Sequence, residues 1–119
     1  MSKYKKQLGK MGEDYAVEYL ESKRYEVIGR NVYIGDGEID IVTKKDDMIV
    51  FVEVKTRKSD KYVDILDSID EAKEEALVTS CEEYLIKNDL ETADYRIDLI
   101  GIILNKGIVE KFEHVEGIV

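Results

Sequence analysis

The 119-residue sequence has no proline, no tryptophan, one cysteine and one histidine. Without proline, helix and strand ends fall to glycine, asparagine and aspartate. The single Cys81 excludes an internal disulfide and cannot alone build a thiolate metal cage; in its helical stripe it reads as core. The single His114 excludes paired-histidine metal motifs, and near the C-terminus it reads as a surface residue. No apolar run approaches the roughly 18 residues of a membrane helix. The basic Lys3, Lys5 and Lys6 lead into no apolar signal-peptide core. A cytoplasmic address with no membrane role is the expectation. Phosphate-binding G-x-x-x-x-G-K-[ST] loops, G-x-S-x-G elbows and H-E-x-x-H helices are absent.

Hydrophobic residues make up 44% and charged residues 38%. That balance fits one globular domain over 1–119, with about 65% of its unfolded surface buried. Net charge is −9, and it is uneven. Residues 1–60 carry 12 basic and 12 acidic side chains, whereas 61–119 carry 6 and 15. An acidic balance argues against a broad basic nucleic-acid surface, so any such role rests on local chemistry.

Periodicity predicts a helix over 5–22, with Leu8, Gly9, Gly12, Tyr15, Ala16, Tyr19 and Leu20 inward. Short strands are expected at Tyr25–Gly29, 38–43 and 48–55, with a turn signal at Gly35-Asp36-Gly37. Thr56–Asp67 reads as an irregular loop. Ser68 and Glu71 form a capping-box pattern opening a helix to about Lys87. Strands at Tyr95–Leu104 and Ile108–Phe112 flank a turn at Asn105-Lys106-Gly107. Helices packed on a sheet follow.

The central hairpin carries the chemistry. If 38–43 and 48–55 pair around Asp46-Asp47, Asp40 opposes Glu53 and Glu38 opposes Lys55. Ile39, Ile41, Val52 and Val54 then take the other face. Opposed Cβ atoms stand about 4.5–5.5 Å apart. Two carboxylates at about 5 Å repel by roughly 3 kcal/mol at an effective dielectric near 20. A proton, a neighbouring lysine or a divalent cation would offset that, and an ordinary solvated strand face shows the same alternation. Hard oxygen ligands suit Mg2+ or Mn2+. Glu13 points with the apolar arc of its helix toward the sheet, where a carboxylate is costly unless paired or metal-bound. Lys73 also points inward, while Arg57 and Lys58 are candidates for phosphate contacts.

Four segments together resemble the YraN-like uncharacterised bacterial family: Gly12-Glu13-Asp14-Tyr15-Ala16, Arg30-Asn31, Gly37-Glu38-Ile39-Asp40 and Phe51-Val52-Glu53-Val54-Lys55-Thr56-Arg57. That family is predicted to share the PD-(D/E)xK restriction-endonuclease-like fold and is distantly similar to archaeal Holliday-junction resolvases. The resemblance implies an α/β fold, a three-layer α/β/α sandwich with a central mixed sheet. It also implies Mg2+- or Mn2+-dependent hydrolysis of phosphodiester bonds in nucleic acid, DNA by expectation. Asp40 matches the first acidic position, Glu53 the D/E, Lys55 the lysine and Glu13 the helical glutamate; Ile39 replaces the proline of the motif. On this reading Asp40 and Glu53 hold the metal with the Val54 carbonyl. Glu13 is an accessory ligand or proton acceptor, and Lys55 assists the attacking water. Lys73 falls near a basic position of the following helix, and Arg96 and Asp98 match a late strand. Two symmetric cuts at a junction would call for a homodimer. The other class in play is a non-catalytic nucleic-acid-binding or protein-interaction domain that keeps the nuclease fold.

Overall fold

Alternating β-branched residues in adjacent segments build a sheet, and two amphipathic helices cover it. The computed structural model describes residues 3–58 and 69–119, the side chains of 3–5 excepted. The order is α1 (Lys3–Ser22), β1 (Glu26–Ile34), β2 (Gly37–Lys45), β3 (Met48–Lys58), α2 (Glu71–Lys87), β4 (Asp94–Asn105) and β5 (Ile108–Val115). The strands lie side by side in chain order. All neighbours are antiparallel except β3 and β4, which run parallel because α2 carries the chain back between them. No helix among the described residues is long and apolar enough to cross a membrane.

The two faces have separate cores. Ala16 and Leu20 of α1 pack on Ile41, Val50, Val52, Val54, Ile100 and Ile102. Cys81 and Leu85 of α2 pack on Ile34, Ile39, Val42, Ile49, Phe51 and Ile97. The result is an α/β/α sandwich with a mixed central sheet, as expected. Burial pushes the Cys81 thiol up to about 12, which suits an inert core residue.

Several local expectations are corrected. Strand β1 runs on to Ile34 past the polar Arg30-Asn31, because pairing with β2 overrides their low strand preference. Thr56 to Lys58 continue β3, held by parallel pairing with Ile102 to Leu104, instead of beginning a loop. The N-cap of α2 is Asp70, whose carboxylate accepts the Lys73 N–H at 2.8 Å. Ser68 and residues 59–67 lie outside the described residues. Ile39 and Ile41 were expected on one face, yet Ile39 packs under α2 and Ile41 under α1. The break falls at Asp40, opposite Asn31, whose φ of +48° interrupts regular strand alternation.

Candidate active site

Five β2–β3 pairs, from Lys45↔Met48 to Ile41↔Val52, follow the expected register. The ladder then stops, so Asp40 does not pair with Glu53, nor Glu38 with Lys55. Strand β2 continues with β1 to Gly37, while β3 continues with β4 to Lys58. The sheet therefore opens into a fork with Glu38 and Asp40 on one arm and Glu53 and Lys55 on the other. At its apex Asp40 Oδ2 accepts the Val54 N–H at 2.8 Å, standing in for the missing strand carbonyl. This contact places the carboxylate in the gap, because strand N–H groups point within the sheet. Val54 meets Asp40 through its N–H, and the carbonyl of the same strand residue points to the same side, toward the gap.

Each helix is pressed onto one arm at a glycine. A Cβ on Gly12 would collide with Thr56 Oγ1, so α1 seats closely on β3. The cost is a buried Thr56 hydroxyl with no hydrogen-bond partner among the described residues. A Cβ on Gly37 would collide with Ser80 Oγ, so α2 seats equally closely on β2. Glu13 follows Gly12 and is thereby carried to the fork. Asn31 Nδ2 donates to Glu13 Oε1 at 2.9 Å and to Glu38 Oε1 at 3.0 Å, joining helix to sheet.

The four expected residues surround one fork without sharing one pocket. Glu13 and Asp40 line a cavity of about 670 Å3 on the α1 side, with Lys6, Lys10, Arg30 and Asn31. Glu53 and Lys55 line a smaller one of about 240 Å3 under α2, together with Lys73. Glu38 lines both. Lys55 Nζ lies 3.2 Å from Glu53 Oε1. Lys73 is exposed at the rim instead of pointing into the core, since the N-terminal half of α2 stands over this opening. Arg57 is half-buried and donates to the Thr56 carbonyl, and Lys58 is exposed at the end of β3.

Charge converges on Asp40. Burial pushes its carboxyl up to about 7, and repulsion from Glu53, then Glu13 and Glu38, adds to this against the Val54 N–H. Glu13 is also raised by burial, against the Asn31 hydrogen bond that lowers it. Among the described residues no cationic side chain bonds to Asp40, and its hydrogen bond there is the Val54 N–H to Oδ2, which leaves Oδ1 without a donor from them.

Sequence reasoning missed Asn31 as a link, although Arg30-Asn31 stood out as a motif. It also missed a second polar cluster at the far end of α1. Asp98, fully buried, accepts from Arg96 Nε at 2.7 Å, from the Gly117 N–H at 3.0 Å and from His114 Nε2 at 2.8 Å. His114 Nδ1 lies 2.9 Å from the Tyr19 hydroxyl. His114 is thus half-buried, with its side chain 8% exposed, and not the surface residue expected.

A profile described as "Uncharacterised protein family UPF0102" matches residues 12–102. The chain belongs to the UPF0102 family. The match begins at Gly12 and takes in both arms of the fork. A UPF0102 protein of Chloroflexus aurantiacus is 42% identical over 112 residues, covering 93% of this chain and 91% of that one. UPF0102 proteins of Dictyoglomus turgidum and Chloroherpeton thalassium are each 37% identical, over 110 and 98 residues. These alignments cover 92% and 82% of this chain, and 93% and 76% of the relatives.

Proposed function

We propose that this UPF0102 protein is a metal-dependent nuclease that hydrolyses phosphodiester bonds in DNA, on a restriction-endonuclease-like, Holliday-junction-resolvase-like fold. One observation carries the reading: a half-buried carboxylate, Asp40, is fixed at the fork, its pKa raised by burial and by three other carboxylates. Such repulsion is costly in a fold unless something binds there.

The donor set suits Mg2+ or Mn2+. Among the described residues no three His, Cys, Asp or Glu side chains form a ready-made metal group. Magnesium, however, needs only one or two carboxylates and keeps its remaining waters. Asp40 through Oδ1 would hold the ion with Glu53 or Glu13. Once bound, it would supply a nucleophilic water at neutral pH and a counter-charge for the phosphoryl oxygens. The chain's own residues do the rest. Val54 N–H fixes the orientation of Asp40. Asn31 holds Glu13 at the cavity, where its raised pKa suits accepting a proton from the attacking water. Lys55, paired with Glu53, brings a positive charge toward the negative charge that builds on the phosphoryl group.

The test is cleavage of branched, duplex and single-stranded DNA with Mg2+ or Mn2+, comparing wild type with Asp40→Asn and Glu53→Gln. Wild type should cleave, with each variant slower by about 100-fold or more. Equal residual cleavage in all three would mark contamination and overturn the proposal. Binding without cleavage by wild type would instead favour the non-catalytic binding domain.

A further inference from the structure

We infer that the larger cavity admits an unpaired stretch of DNA, with Tyr33 as the platform on which a base stacks. The inference deepens the nuclease reading and rests on it for the cavity's role as substrate site. Tyr33 is 77% exposed, the most exposed of the large hydrophobic side chains among the described residues, and it lines this cavity with Asp40. It stands opposite Glu38 in the β1–β2 ladder, two residues along the strand from Asn31. Two residues of strand span about 6.8 Å. That is close to the reach from a phosphate to the base of its own nucleotide, so a phosphate near Asp40 brings its base to Tyr33.

Charge marks the route of the backbone. Lys6 and Lys10, four residues apart on one face of α1, line the same cavity and are exposed. Arg30 lines it as well; its Nη2 is engaged by Asp14 at 2.8 Å, which leaves other guanidinium donors for a phosphate. On the opposite side of the sheet α2 exposes Glu71, Glu75 and Glu82. Helix α2 carries five glutamates against Lys73 and Lys87, whereas Lys6, Lys10 and Arg30 offset Glu13, Glu38 and Asp40 in the larger cavity, so a polyanion is less opposed on the α1 side.

Stacking chooses the strand. A cavity of about 670 Å3 has room for a nucleotide or two. Bases inside a duplex are covered on both faces by their neighbours, so only an unpaired base offers Tyr33 a free face.

The experiment measures equilibrium binding by fluorescence anisotropy, with Ca2+ replacing Mg2+ to suppress cleavage. The probes are a dT strand of about 12 residues and a blunt duplex. Wild type should prefer the single strand. Tyr33→Ala should weaken single-strand binding about 5- to 100-fold, while Tyr33→Phe retains it. Substituting Lys6 and Lys10 together by alanine should flatten the single-strand salt slope by roughly 1.4. Duplex binding as tight as single-strand binding, no binding to either probe, or unchanged affinity in Tyr33→Ala would overturn the inference. The expected binding pattern without Mg2+-dependent cleavage would overturn the nuclease reading and leave Tyr33 as the base platform.

Discussion

At the scale of single residues, Asp40 serves the backbone and, in the proposed reaction, the chemistry as well. Its Oδ2 satisfies the Val54 N–H, so replacement by alanine would strand a part-buried donor at a cost of about 1–3 kcal/mol. Asparagine keeps an acceptor oxygen and removes the charge. Because the folded-state pKa of Asp40 is raised to about 7, the folded protein holds a proton that the unfolded chain releases above pH 3.8. This residue's contribution to stability therefore falls between about pH 4 and pH 7 and is flat beyond. Asp40→Asn should melt at or above the wild-type temperature at pH 8 while losing cleavage, which thermal denaturation and the nuclease assay check together. Asn31 permits a similar separation. Asn31→Gly keeps the left-handed backbone and deletes the amide that joins Glu13 to Glu38. Cleavage should fall about tenfold with a stability loss under about 1 kcal/mol; equal rates would show that Asn31 serves the turn of the backbone alone.

At the scale of elements, each arm of the fork meets a helix at a glycine, Gly12 of α1 against β3 and Gly37 of β2 against α2. Gly12→Ala forces α1 away from Thr56 and carries Glu13 with it. We expect a loss of about 1–3 kcal/mol in urea denaturation and slower cleavage. Adding Thr56→Gly, which removes the obstructing hydroxyl, should restore the position of α1 and part of the rate. Periodicity had shown both helices, and an even turn at Asp46-Asp47 the register of β2 against β3 as far as Ile41 and Val52. The fork itself was not legible: the alternation from Glu38 to Val42 reads the same whether or not the ladder reaches Asp40. Nor was the length of β1, since Arg30-Asn31 looks like a loop until β2 is laid beside it. The carboxylates were readable as residue types; their division between two cavities depends on where the strands part.

At the scale of the whole molecule, Asp98 ties distant segments together. Tyr19 and Tyr25 come from the end of α1 and just beyond it, Arg96 from β4, and His114, Glu116 and Gly117 from β5 and the residues after it. No local pattern announces such a cluster, which is why a lone histidine looked superficial. Burial pushes the Asp98 carboxyl up, but hydrogen bonds from His114, Arg96 and Gly117 outweigh it and hold the pKa below 3.8. That stabilisation is fully present above about pH 4 and is lost as pH falls through the lower folded-state value. Asp98→Asn should therefore flatten the acid limb of the stability curve below pH 4, and His114→Ala should cost about 1–3 kcal/mol without removing cleavage in the folded protein. The net charge of −9 is compatible with a nucleic-acid substrate because Lys6, Lys10 and Arg30 line the larger cavity. Screening over about 8 Å at physiological salt limits repulsion from the acidic α2 side. The most direct measurement is titration calorimetry of Mn2+ binding in buffers of different ionisation enthalpy at pH 6 and pH 8. Asp40 must give up its proton to take a cation, so each ion should release close to one proton at pH 6 and almost none at pH 8. Binding should be lost in Asp40→Asn. Absence of binding, or proton release unchanged between the two pH values, would contradict the account.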